Sequence, residues 1–91
     1  MKILILGAGK MGSFFTDLLS FDHEVAVLES DPKRMRFIYN ALRLQKPEEV
    51  EAFKPELVIN CVTLSYTIEA FKSVLPYLPQ TCILSDIASV K

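Results

Sequence analysis

"KILILGAGKMG", residues 2–12, decides the fold. It opens on a short run of Ile and Leu, which fits a strand buried on both faces, as in a parallel sheet. Gly7 closes that run. From Met11 the period changes: Met11, Phe14, Phe15, Leu18 and Leu19 fall at i, i+3, i+4, i+7 and i+8, the spacing of one helical stripe. A buried strand that turns through glycine straight into a helix is the opening unit of an α/β domain.

The rest of the chain repeats the alternation. "VAVLE", residues 25–29, reads as a second buried strand. Asp31 followed by Pro32 predicts a helix N-cap with proline in the first helical position. The periodicity carries this helix through Met35, Ile38, Ala41 and Leu42. "LRLQ" at 42–45 is a short third strand. Pro47, Glu48 and Glu49 open a short acidic helix, since carboxylates suit a helix N-terminus, and Pro55 ends it. "LVINCV", residues 57–62, is the fourth strand. Thr63 or Ser65 caps the next helix, which buries Ile68, Phe71, Val74 and Leu75 and ends at Pro76–Pro79. "CILSD", residues 82–86, is the fifth strand. Strands alternating with helices predict an α/β domain with a parallel sheet and right-handed crossovers.

Composition narrows the function classes. Ninety-one residues make one small domain, and 51% apolar content is too high for a disordered chain. Ten basic against eleven acidic residues leave no basic stripe for nucleic acid and no cationic face for a membrane. The apolar runs are too short to span a bilayer, and Met1-Lys2 leads directly into a strand where a signal peptide would place a cleavage site. Cys61 and Cys82 both sit inside apolar runs, which predicts buried, reduced thiols in a cytoplasmic protein. Two cysteines and one histidine are too few for a metal site.

"GAGKMG", residues 7–12, is G-x-G-x-x-G in its required context, a strand before it and a helix opening inside it. Gly7 makes the turn, Gly9 lets a pyrophosphate approach the backbone, and Gly12 lets helix and strand pack closely. With Ala8, Lys10 and Met11 these residues form the predicted pyrophosphate loop, where helix amides supply donors. The pattern also wants an acid at the end of the second strand, to accept from the adenosine ribose. Glu29 meets that condition. A carboxylate there repels a 2′-phosphate, so the expected cofactor is NAD over NADP. Lys33 and Arg34 lie close enough to reach a phosphate, but read more simply as a solvated first turn of helix. Asp31 reads as a helix cap.

Other residues are weighed against simpler roles. His23, the sole histidine, falls in the turn before the second strand, at the N-terminal edge of the sheet. Ligands of such sheets bind outside the opposite edge, so His23 reads as an exposed turn residue. Thr63 and Leu64 follow the fourth strand and are expected to pass near the cofactor. Tyr66 either lines the pocket or begins an amphipathic helix. Cys61 reads as core, with nothing nearby to activate it.

"GAGKMGSFF", "DHEVAVLESDP", "LVINCV" and "LSDIASVK" occur in an order and spacing that resemble the prephenate dehydrogenase family of tyrosine biosynthesis. The D-x-[GA]-S-V-K ending is the specific part, since the glycine loop is shared with many dehydrogenases. The resemblance spans the chain. It implies a Rossmann-type doubly wound sheet over residues 1–91, truncated after its fifth strand and standing before a helical domain. It implies oxidative decarboxylation of prephenate or arogenate, reduction of NAD or NADP, and a homodimer of the full-length enzyme. Carried over, Gly7, Gly9 and Gly12 hold the pyrophosphate and Glu29 the ribose. Ser89 stands near the nicotinamide and the substrate hydroxyl, and Asp86 shapes that loop. Ala88 replaces a common glycine, and Thr63 replaces a frequent proline. The family's catalytic histidine, in an H-P-M-x-G motif, has no counterpart in these residues, so the stretch by itself is expected to be inactive.

Two other readings stand beside this one. The same fold serves pyrroline-carboxylate reductases and hydroxyacid dehydrogenases, against which the D-I-A-S-V-K ending argues. A non-catalytic nucleotide-binding module is the other, favoured by the lack of a catalytic base.

Overall fold

The computed structural model describes residues 1–36, 38–62 and 67–87. Five strands form one all-parallel sheet: β1 (Lys2–Leu6), β2 (Glu24–Leu28), β3 (Leu42–Leu44), β4 (Leu57–Asn60) and β5 (Ile83–Asp86). Their spatial order is β3-β2-β1-β4-β5. The chain runs outward from β1 to β3, then returns to lay β4 on the other side of β1. That reversal is the topological switch point of a Rossmann-type sheet, and ligands bind beyond the strand ends there.

Helices cover both faces, as the continuous apolar strands require. Alternate residues of β1 point opposite ways. Ile3 and Ile5 join Val25, Val27 and Ile59 on one face, beneath Phe15 and Leu19 of α1 (Lys10–Leu19) and Met35 of α2 (Pro32–Met35). Leu4 and Leu6 join Ala26, Leu44 and Val58 on the other. There they meet Val50 and Phe53 of α3 (Val50–Phe53) and Val74 of α4 (Thr67–Val74). A 3-10 turn at Pro47–Glu49 precedes α3, and another at Leu75–Tyr77 follows α4.

Three local expectations need correction. The first is α2, which starts as expected, with the Asp31 carboxylate accepting from the Lys33 amide at 3.0 Å. It ends at Met35 and does not reach Leu42. Leu42 pairs with Ala26 in β3, and the Arg43 Nε donates to the Ile38 carbonyl at 2.9 Å. Sheet pairing and this side-chain bond override the helical period.

The second is the stripe of α1, which is rotated. Gly12 and Thr16 are fully buried and Phe15 and Leu19 pack on the sheet, while Met11, Phe14 and Leu18 are about half exposed. A Cβ at Gly12 would overlap the Gly7 carbonyl oxygen, so this residue fixes which face meets the sheet. At 100° per residue, Met11, Phe14 and Leu18 then lie about a third of a turn away.

The third is α4, where Ala70, Phe71 and Val74 form the inner face and Ile68 and Leu75 are exposed. Leu75 already belongs to the 3-10 turn, whose tighter winding takes it off the stripe.

Among the described residues, β5 pairs with β4 and forms one edge of the sheet. Its Ile83 and Leu84 are exposed, whereas Cys82 and Ile87 pack against opposite faces of the core.

Candidate functional site

The strand ends of β1, β2 and β4 open on a cleft of about 640 Å³. Leu6, Gly7, Gly9, Lys10 and Met11 line it from β1 and α1. Glu29, Ser30 and Arg34 line it from the end of β2 and α2, and Cys61, Val62, Ala70 and Ser73 from the β4–α4 side. Of the residues singled out in the sequence, Gly7, Gly9, Lys10, Met11 and Glu29 all line this cleft. Ala8 and Gly12 are buried behind the lining.

Each glycine occupies a distinct environment. Gly7 has φ of +98°, a conformation that L side chains rarely adopt, and an added Cβ would stand 3.2 Å from Val62 Cγ2. Gly9 meets nothing within 4 Å at its Cβ position. It is the N-cap of α1, with no side chain capping it, so the first amides of the helix are left for an anion approaching over Gly9. The Gly9 carbonyl accepts from Ser13 N–H at 2.9 Å, and the Ser13 hydroxyl donates to the Ala8 carbonyl at 3.2 Å.

Glu29 sits directly after β2, where its own amide donates to the Leu44 carbonyl at 3.0 Å. Its Oε1 accepts from the Ala8 amide at 2.8 Å, and its Oε2 from the Asp31 amide at 3.1 Å. An ionised carboxylate offers about four acceptor positions, so two remain for a ligand. Arg34, read from sequence as a solvated residue, lines the same cleft.

Asp86 stands at the end of β5, outside the cleft lining. Its Oδ1 accepts from Asn60 Nδ2 at 3.2 Å. Asn60 is fully buried, and its Oδ1 accepts from the Val62 amide at 3.2 Å. This amide, which ties the loop after β4 to the end of β5, is the residue that sequence reading missed. A lone polar side chain inside the apolar run "LVINCV" was the available signal. Thr63, Leu64, Tyr66 and Ser89 lie outside the described residues.

Cys61 lines the cleft with a thiol poorly disposed to ionise. Burial, reinforced by the negative charge of Asp86, pushes its thiol up to about 11. Burial also raises Cys82. His23 is at the opposite edge of the sheet, as expected, but it is half-buried and not exposed. Its Nδ1 is buried without a hydrogen-bond partner. Among the described residues, no cluster of three metal-ligating side chains occurs, and no helix is long and apolar enough to cross a membrane.

Residues 2–89 match the family model described as NADP oxidoreductase, coenzyme F420-dependent. No curated protein matches the chain. Among solved structures, the chain is similar to prephenate dehydrogenase from A. aeolicus in complex with hydroxyphenyl propionate and NAD+. The TM-score is 0.86 at 24% identity, covering 100% of this chain and 34% of that one. It is similar to a 3-hydroxyacyl-CoA dehydrogenase from Archaeoglobus fulgidus, with TM-score 0.81, 21% identity and coverage of 100% and 35%. It is also similar to a putative F420-dependent NADP reductase from Arthrobacter sp. FB24, with TM-score 0.79, 25% identity and coverage of 98% and 45%. The chain therefore spans between a third and a half of the length of these structures. Their chemistries differ, so likeness of fold does not single out prephenate chemistry. With a glycine-loop cleft at the switch point of a five-stranded parallel sheet, the chain belongs to the family described as NADP oxidoreductase, coenzyme F420-dependent, and is its NAD(P)-binding Rossmann domain.

Proposed function

We propose that the chain supplies the dinucleotide-binding part of an NAD-dependent dehydrogenase acting on prephenate or arogenate. The observation that carries the nucleotide part is the open space over Gly9, with uncapped α1 amides on one side and the Glu29 carboxylate on the other. The pyrophosphate would lie over Gly9. The two unfilled acceptor positions of Glu29 suit the vicinal hydroxyls of a ribose, and its charge opposes a 2′-phosphate, which favours NAD. When bound, the nicotinamide supplies hydride chemistry. Leu6, Val62 and Ala70 give the cleft apolar walls that limit water around it.

The substrate part of the reading rests on "LSDIASVK" and on likeness to the A. aeolicus enzyme. In this reading Ser89 contacts nicotinamide and substrate, Asp86 shapes its loop through Asn60, and Thr63 passes beside the cofactor. His23 is at the wrong edge to take the substrate's proton, because a general base works within hydrogen-bond reach. A homodimer of the full-length enzyme belongs to the same proposal.

A second reading, an NADP-linked reductase using coenzyme F420, is favoured by the family match and by Arg34 in the cleft wall. A guanidinium there suits a 2′-phosphate. Titration of this domain with NADH and NADPH, followed by assay of the full-length enzyme with prephenate plus NAD and with reduced F420 plus NADP, separates the two. Tighter NADH binding and prephenate-dependent NADH formation are expected. Tighter NADPH binding with F420-dependent turnover would replace the first reading by the second.

A further inference from the structure

We infer that Glu29 is a positioning residue for the glycine loop as well as a ribose ligand, so that removing its charge weakens anion binding at that loop. This rests on the dinucleotide-binding reading above.

The backbone at the exit of β1 is largely accounted for by its neighbours. Gly7 N–H donates to the Leu28 carbonyl and Cys61 N–H to the Leu6 carbonyl, each at 2.9 Å. The next amide, Ala8, is beyond the reach of the ladder and donates instead to Glu29 Oε1, 21 residues away. Ala8 lies between two glycines, so the loop sets its own conformation poorly there. A bond to a charged acceptor is stronger than one between neutral groups. The other carboxylate oxygen holds the Asp31 amide, and the Glu29 backbone is tied to Leu44. One side chain thus joins the exits of β1 and β2, while its backbone is anchored to β3. The amides of α1 that would face an anion begin two residues beyond Ala8, at Lys10.

A ribose ligand and a loop clamp make opposite predictions for a ligand that has no ribose. As a ribose ligand alone, Glu29 only repels inorganic pyrophosphate, and its removal tightens binding by Coulomb's law. As a clamp, its removal misaligns the loop and loosens binding.

The test uses the full chain and its Glu29→Ala and Glu29→Gln variants. Pyrophosphate and NADH are titrated, and exchange of the Ala8 amide is followed by NMR. In Glu29→Ala the Ala8 amide should exchange about tenfold faster, the loss of one hydrogen bond to a charged group. Pyrophosphate affinity should fall despite the lost negative charge, and NADH affinity should fall further. Glu29→Gln, which keeps one acceptor oxygen, should lie between and remains informative if Glu29→Ala does not fold. Wild-type binding of pyrophosphate, with equal or tighter binding by both variants and an unchanged Ala8 amide, overturns this inference alone. Failure of the wild-type protein to bind either ligand overturns it together with the dinucleotide reading.

Discussion

Gly12 sits so close to Gly7 that a Cβ on the first would overlap the carbonyl oxygen of the second. Neither atom is on a flexible side chain, so the contact cannot be relieved without moving α1 off β1. Gly12→Ala should therefore destabilise the domain by about 1–3 kcal/mol, the usual cost of overpacking. Denaturant unfolding checks it. A melting curve unchanged from wild type would mean that α1 shifts freely.

Gly9→Ala should do the reverse. Its Cβ would enter open space, so stability should stay within about 0.5 kcal/mol of wild type, as for other surface substitutions. Dinucleotide binding should fall at least about tenfold, because the methyl group fills the approach to the α1 amides. Parallel melting and titration curves separate the two effects. Normal binding by Gly9→Ala would place the ligand elsewhere.

The contrast between these glycines marks how far the sequence could be read. G-x-G-x-x-G after a strand located the turn, the helix and the cleft, because that pattern encodes backbone geometry within a few residues. It could not show which face of α1 is inward. Met11, Phe14, Phe15, Leu18 and Leu19 read as one stripe, and the contact between Gly12 and Gly7 turns Met11, Phe14 and Leu18 out of it. The start of α2 was legible from Asp31 and Pro32. Its end was not, since Leu42 is claimed by β2, a partner distant in sequence. Asn60 was hidden for the same reason: its role depends on Asp86, 26 residues on.

Asn60→Leu should cost about 1–3 kcal/mol, although leucine is apolar and similar in size. It leaves the part-buried Val62 amide without its side-chain acceptor and removes the bond to Asp86. Equilibrium unfolding measures the loss. Equal stability would show that the loop after β4 finds other partners.

Cys61 gives a pH signature. Burial, with the charge of Asp86, pushes its folded thiol up to about 11 from an ordinary 9.0. Between those limits the unfolded chain has already lost the proton that the folded chain retains, so stability falls as pH rises through that window. Cys61→Ala should show a shallower decline than wild type over this range, measured by chemical unfolding. At neutral pH the thiol should resist iodoacetamide in the folded protein and react once unfolded. Rapid alkylation of folded protein would contradict the assignment.

Lys54 ends α3 in the left-handed region, at φ 54° and ψ 63°. A side chain costs about 1–2 kcal/mol in that conformation, which glycine adopts freely. Lys54→Gly should therefore raise the melting temperature by a few degrees, reading about 1 kcal/mol at this size. A decrease would mean that the lysine side chain contributes more than its backbone strain costs.

The placement of β1 between β2 and β4 also bears on how the chain reaches this structure. The β1–β2 pair closes a short span, whereas β4 brings Glu56 to the Lys2 amide from 54 residues away. Loop-closure entropy makes the longer connection the slower one, though it adds only about 1 kcal/mol. The glycine loop can thus form against β2 early, while Cys61 and Val62, on the opposite wall, arrive only when β4 docks. A ligand that needs both walls meets a competent cleft only after that last step. It would then slow unfolding and shift the equilibrium by mass action, and leave the folding rate unchanged.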